Sequence, residues 1–272
     1  MISKVHVLVF FMGLSAIGLI GMEAQETDYA KAYVHPKNYS HETEINPTIL
    51  HILYTGESLE ESLKTFANPE EKVSVHYLIA EDGTIYSLVP ESYAAWHAGK
   101  SQWGGISSVN QHSIGIALVS KGIMDEEAMK EGWKANFPFY TEQQVGALIK
   151  LARDIINRKN IKPWNIVGHS DVAPQRKYDP GLQFPWKLIA KEGIGLWPED
   201  ELTYFPREVS KDEFLAKLRS YGYCVADVNS PDSLKKVIAA FQAHFRPTQV
   251  DGIIDAQTDA ILSSLLSKKR TY

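Results

Sequence analysis

A mixed α/β (α+β) fold, with a central β-sheet flanked by helices and followed by a small three-helix domain, is the architecture this sequence predicts. Three observations predict it. The runs Thr48–Thr55 (TILHILYT) and Ser113–Val119 (SIGIALV) are almost wholly apolar and rich in β-branched residues, as buried strands are. Helical periodicity alternates with strand patterns as far as Pro206, and beyond it only helical periodicity remains. The chain has 272 residues, more than one compact domain usually needs.

Taken in order, Met1–Ala24 reads as an export signal, with Lys4 before an apolar run over Val5–Ile20 that is shorter than the about 20 residues a membrane span requires. Cleavage after Ala24 is expected; an uncleaved anchor is the alternative. Leu19-Ile20-Gly21-Met22 has the outline of a lipoprotein box, but Met22 stands where the acylated cysteine must be, so no lipid anchor is expected. Asp28–Asn46 is a polar lead-in. Thr48–Thr55 is a strand with His51 and Leu53 on one face. Glu57–Phe66 is helical, and Val73–Ile79 and Thr84–Val89 form a hairpin that turns at Asp82-Gly83. Trp96-His97-Ala98-Gly99 opens a loop rich in Gly, Ser and aromatic residues that runs to Asn110, and Ser113–Val119 is short and apolar enough to lie centrally in the sheet.

Thr141-Glu142-Gln143-Gln144 is a capping box for a long amphipathic helix that ends near Asn160. A further helix begins at Phe184-Pro185-Trp186. After Pro206 the segments Ser210–Tyr221, Ser230–Phe245 and Asp255–Lys268 make the small bundle, with Pro231 at a favoured first helical position. The expected divisions are a signal at 1–24, a cleft domain at 25–205 and a separable three-helix domain at 206–272.

Hydrophobic content of 44%, charged content of 22% and a net charge of -5 describe an ordinary globular protein and argue against a nucleic-acid binder. Cys224 is the only cysteine, so no intramolecular disulfide is possible. A monomer is expected.

Val167–Gly181 (VGHSDVAPQRKYDPG) carries the chemistry. Pro174, Pro180 and Gly181 forbid a continuous helix, which makes this an ordered loop. His169 and Asp179 are residue types that bind zinc, and Lys177, two residues before Asp179, places an ammonium beside whatever Asp179 holds. A surface loop with a capping Asp and a solvated Lys would read the same way from spacing alone.

With these residues in view, the chain resembles the zinc-dependent N-acetylmuramoyl-L-alanine amidases, most closely the bacterial periplasmic AmiD type. The resemblance runs through VSVHYLI at Val73–Ile79, AWHAG at Ala95–Gly99, SIGI at Ser113–Ile116, GHSDVAPQRKYDPG at Gly168–Gly181 and FPW at Phe184–Trp186. The tail, with AFQAHFRPT at Ala240–Thr248 and DGIIDAQTDAIL at Asp251–Leu262, is similar to a C-terminal peptidoglycan-binding-like domain. What the resemblance implies is cleavage, by a zinc-bound water, of the amide between the lactyl group of muramic acid and L-alanine. It matches His169 and Asp179 to two zinc ligands, Lys177 to a lysine beside the oxyanion, and His76, Trp96 and His97 to residues lining the cleft. A core role for His76, or packing alone for Trp96, is the competing reading.

Two positions depart from the pattern. The family's first zinc ligand is the His of a strand motif ending His-Tyr-Thr, where this chain has Leu53-Tyr54-Thr55, and its catalytic Glu follows the Ser-Ile-Gly-Ile residues, where this chain has Ala117. His51 shares a face with Leu53 but lies about 6–7 Å further back along the strand, against a ligand distance of about 2.0–2.1 Å. The expectation is therefore a periplasmic or secreted protein that recognises peptidoglycan or muropeptides, holds zinc weakly or not at all, and has little or no amidase activity. An active amidase using His51, or an envelope interaction protein, are the alternatives.

Overall fold

The structure, a computed structural model, describes residues 29–31, 36–40, 44–122, 132–137, 139–200, 202–225 and 229–272; the expected export segment, with Met22 and the cleavage point after Ala24, lies outside them. Among the described residues no helix is long and apolar enough to cross a membrane.

The strands in chain order are β1 (Ala30–Lys31), β2 (Tyr39–Ser40), β3 (Ile49–Tyr54), β4 (Tyr77–Ile79), β5 (Ile85–Ser87), β6 (Ala94–Ala95), β7 (Gln102–Trp103), β8 (Ile106–Ser107), β9 (Ser113–Leu118) and β10 (Ile166–Gly168). Six of them form one sheet in the order β1-β5-β4-β9-β3-β10, and β4 with β5 is its antiparallel pair. The central place expected for Ser113–Leu118 follows from its composition: an apolar strand with every residue buried is stable only with neighbours on both edges. The hairpin expected at Asp82-Gly83 is the β4–β5 connection, where Gly83 takes a φ of 85° and its missing Cβ leaves room for the backbone of Gln143.

The helices are α1 (Leu59–Ala67), α2 (Glu142–Lys159), a single turn α3 (His169–Val172), α4 (Trp186–Lys191), α5 (Lys211–Tyr221), α6 (Pro231–Phe245) and α7 (Ala256–Lys269). Ser58 and Thr141 close the capping boxes of α1 and α2. At α5 the Ser210 side chain caps the helix by accepting from the Glu213 amide. One face of the sheet, through Leu50, Ile52, Ile114, Ile116 and Leu118, packs on Val145, Leu148, Leu151 and Ile155 of α2. The other face buries Leu53 and Ala117 beside Phe66 of α1.

The tail shares its core with the rest of the molecule. Phe214, Leu218, Phe241 and Leu265 belong to one apolar cluster with Ile49, Trp103, Val167 and Val172, which crosses the division expected at 205/206.

Candidate active site

β3, β9 and β10 run parallel and in register, pairing His51 with both Gly115 and Val167 and Leu53 with Ala117. Residues two apart on a strand face the same way, so His51, Leu53, Gly115 and Ala117 look onto one side of the sheet. Gly115 is needed there. A Cβ on it would lie 2.4 Å from Cδ2 of His97, whose ring covers this point of the strand.

His97 reaches that position because the Asn110 side chain accepts from the backbone amides of His97 (3.1 Å) and Ala98 (2.7 Å). Its ring stacks on His51 with centroids 4.9 Å apart, and the two Nδ1 atoms lie 2.8 Å from each other. Burial, reinforced by neighbouring charge, holds the pKa of both rings well below the usual histidine value, so the rings are neutral and share one hydrogen between these nitrogens. The donating ring then has a bare Nε2 and the accepting ring an Nε2–H. Both Nε2 atoms are buried without a partner.

Sheet order and loop bonding bring the rest together. His169 opens α3 directly after β10, and its ring meets that of His51 edge-on at 4.8 Å. Its Nδ1 donates to Asp179 Oδ2 at 2.9 Å, while its Nε2 lies 3.2 Å from the Ala98 carbonyl. The amide of Ser170 donates to the Asp179 carbonyl at 2.8 Å, so the ends of the loop hold each other. Burial raises the Asp179 carboxyl, but the His169 bond and charge and the Lys177 ammonium outweigh it, and the net displacement is downward. The loop expected over Val167–Gly181 thus contains one helical turn, α3, which fits before Pro174.

His76 is set apart from the surface. It is fully buried, its Nε2 donates to the Tyr93 carbonyl at 2.9 Å and its Nδ1 accepts from the Gly115 amide at 2.9 Å. With both nitrogens spent on backbone it ties strand to loop and has no donor or acceptor left for a ligand. Trp96 is half-buried and bonded through its backbone to Ser74.

Two features escaped the linear reading. The first is Arg176, whose guanidinium donates to the carbonyls of Ala98 and Lys100. It walls a cavity of about 460 Å³ together with Lys100, Gln102, Ser108, Gln175 and Cys224. Lys100 and Arg176 bring two positive charges to that lining, and no Asp or Glu is among its described residues. The only signal in the sequence was the doubled cation of Arg176-Lys177. The second is Asp171, which is 1% exposed and accepts from the Gly168 amide (2.7 Å), the Tyr223 hydroxyl (2.5 Å) and His244 Nδ1 (2.8 Å). An acid two residues after His169 hinted at a cap, but its partners in the tail lie far off in sequence.

Comparison with known proteins places this geometry. Residues 42–182 match the family described as N-acetylmuramoyl-L-alanine amidase, and residues 213–262 match one described as "Putative peptidoglycan binding domain". The N-acetylmuramoyl-L-alanine amidase AmiD of Escherichia coli is 41% identical over 81% of this chain and 82% of its own length. The chain belongs to the N-acetylmuramoyl-L-alanine amidase family. The fold agrees: AmiD from E. coli, solved in complex with the substrate anhydro-N-acetylmuramic acid-L-Ala-D-γ-Glu-L-Lys, superposes with a TM-score of 0.75 at 39% identity, covering 84% of this chain and 92% of that one. AmpDH3 from Pseudomonas aeruginosa gives 0.73 at 31% identity, covering 85% and 95%.

These amidases are generally zinc enzymes, so the donor set decides whether this chain suits the ion. Nδ1 of His169 and Oδ2 of Asp179 are bonded to each other, and Leu53 offers only carbon. The unpartnered nitrogens belong to His51 and His97, one step lower on the sheet. Among the described residues no three His, Cys, Asp or Glu side chains gather so as to hold a metal. The residues present do not fit the amidase family's zinc.

Proposed function

We propose that this chain is an exported, muropeptide-recognising member of the amidase family with little or no hydrolytic activity. One observation carries the reading: Leu53 and Ala117, the two departures from the family pattern, are directly paired across β3 and β9 and packed in one apolar cluster, 8% and 1% exposed. A cavity that had lost one polar partner would leave the other orphaned at a cost of about 1–3 kcal/mol. Here both are apolar and the gap is closed.

Binding does not need those positions. Lys100 and Arg176 make the neighbouring cavity a cation-lined pocket suited to the carboxylates of a stem peptide, while its serine and glutamine side chains offer donors and acceptors for amides. Lys177 and Asp179 lie at the edge of the same loop. A general base is worth about 10²–10⁴ in rate, and Ala117 can carry no proton.

Retention on purified sacculi, zinc content by mass spectrometry and muropeptide cleavage by chromatography test this directly. We expect retention that survives a chelator, well under one zinc per chain, and cleavage slower by several orders of magnitude than that of E. coli AmiD assayed in parallel. One zinc per chain with rapid cleavage would overturn the reading and make His51 the ligand. Loss of retention on chelation would overturn the claim that recognition is independent of metal.

A further inference from the structure

The family pattern ties position 53 on β3 to His169 and Asp179 through its ion, and with Leu53 there that tie cannot form. His51, two residues earlier on the strand, is the site histidine that no motif of the family accounts for. It is fully buried, and its ring meets a residue from each of the two loops that wall the cation-lined cavity, His97 from one and His169 from the other. We propose that His51 is a positioning residue: through a hydrogen bond between its imidazole and that of His97 it fastens the cleft without a metal.

The geometry of the pair is that of a shared hydrogen. The two Nδ1 atoms are 2.8 Å apart and the ring planes differ by 29°. Two imidazole nitrogens at that distance hold one hydrogen between them, because with none the lone pairs repel and with two the hydrogens collide. The shallow angle keeps the N–H of one ring near the lone-pair direction of the other. Neither ring is free to leave. His51 sits on a strand bonded to β9 on one side and β10 on the other. His97 has its backbone held by Asn110, the ring of His76 at 5.6 Å, and Gly115 beneath it.

Both loops take their position from this point. The Ala98 carbonyl, next to His97, lies 3.2 Å from His169 Nε2 and accepts from Arg176. Arg176 also donates to the Lys100 carbonyl, so the two cations of the cavity are placed relative to the residue that follows His97. On its other side the His51 ring meets His169 edge-on at 4.8 Å. The bond uses the Nδ1 of each ring. The Nε2 atoms are buried without a partner, and among the described residues no third His, Cys, Asp or Glu completes a metal site around them.

The consequence for binding rests on the muropeptide reading, and a spectroscopic measurement keeps the two apart. In the full-length protein carrying isotope-labelled histidine, one imidazole proton should correlate with two Nδ1 nitrogens, and it should persist in a chelator and in excess zinc. His51→Asn, whose side-chain amide can stand where Nδ1 stood, should bind an anhydromuramyl peptide as the parent does. His51→Phe keeps a ring and loses the nitrogen, and calorimetry should show binding about tenfold weaker. Should the Phe variant fail to fold, the proton correlation and the Asn variant still decide. A proton that correlates with one nitrogen only, its loss on adding zinc, an Asn variant as weak as the Phe one, or a Phe variant as strong as the parent would overturn the role of His51. A parent that shows the shared proton yet binds no peptide would instead sink the function proposed for the cavity.

Discussion

At the scale of single residues, Leu53 and Ala117 matter as a pair. Leu53→His alone places an imidazole in an apolar cluster, and Ala117→Glu alone buries a carboxylate there, so each single change should cost stability and restore no cleavage. The double variant places the two as cross-strand neighbours on β3 and β9. We expect zinc uptake in the two variants that carry Leu53→His and measurable muropeptide cleavage only in the double variant, a strongly non-additive pattern. Zinc stoichiometry and product chromatography on all four proteins check it. Both substitutions were legible in the sequence because each interrupts a motif. That they face each other was not, because parallel register is set by chain segments that lie far apart.

His76 supplies a second prediction at this scale. Burial lowers its pKa from 6.5 to about 4, and burial also lowers His51 and His97. Protons therefore bind the unfolded chain before the folded one. Stability is complete above about pH 6.5 and is lost as the pH falls toward 4, by about 3 kcal/mol for His76 alone at about 1.4 kcal/mol per pH unit. Urea midpoints measured at pH 7 and pH 4.5 should show that drop, and His76→Asn should reduce it while His51 and His97 keep a remainder. The sequence could offer His76 only as cleft or core; the Tyr93 carbonyl and Gly115 amide that occupy its nitrogens come from the loop before β6 and from β9.

Among the elements, the turn from β10 into α3 decides how the site loop sits. Asp171 is its anchor, accepting three buried hydrogen bonds, two of them from the tail. Asp171→Ala strands the Gly168 amide, the Tyr223 hydroxyl and His244 together, and unsatisfied buried groups cost about 1–3 kcal/mol each. A loss of about 3–5 kcal/mol in chemical denaturation is expected, within the range for breaking a buried network. Asp171→Asn, which keeps an acceptor, should lose less. Element boundaries read well from sequence wherever capping chemistry was explicit, as at Thr141 and Pro231. They read poorly within Val167–Gly181, where α3 is too short to show a period.

For the whole molecule, the cluster joining Ile49, Trp103 and Val172 to Phe214, Phe241 and Leu265 bears on the separability that the change of pattern at Pro206 predicts. Amphipathic periodicity shows that each helix has a buried face, not what covers it. A chain ending at Phe205 would expose Trp103, which is 2% exposed, along with Val172 and Ile49, and we expect it to be insoluble or loosely packed. A cooperative thermal transition in that fragment would show the cleft domain to be independent after all.

The same continuous core fixes how the tail that matches a peptidoglycan-binding domain sits against the cation-lined cavity, since Val172 lines that cavity and shares the apolar cluster with Phe214 and Phe241. Peptidoglycan is a repeating polymer, and two sites at a set interval act on it as a gauge. A fragment that reaches both places at that interval gains the effective concentration of an intramolecular second contact, whereas one with the wrong interval gains nothing. Selection among strands would then depend on spacing along the polymer as much as on the chemistry of either contact.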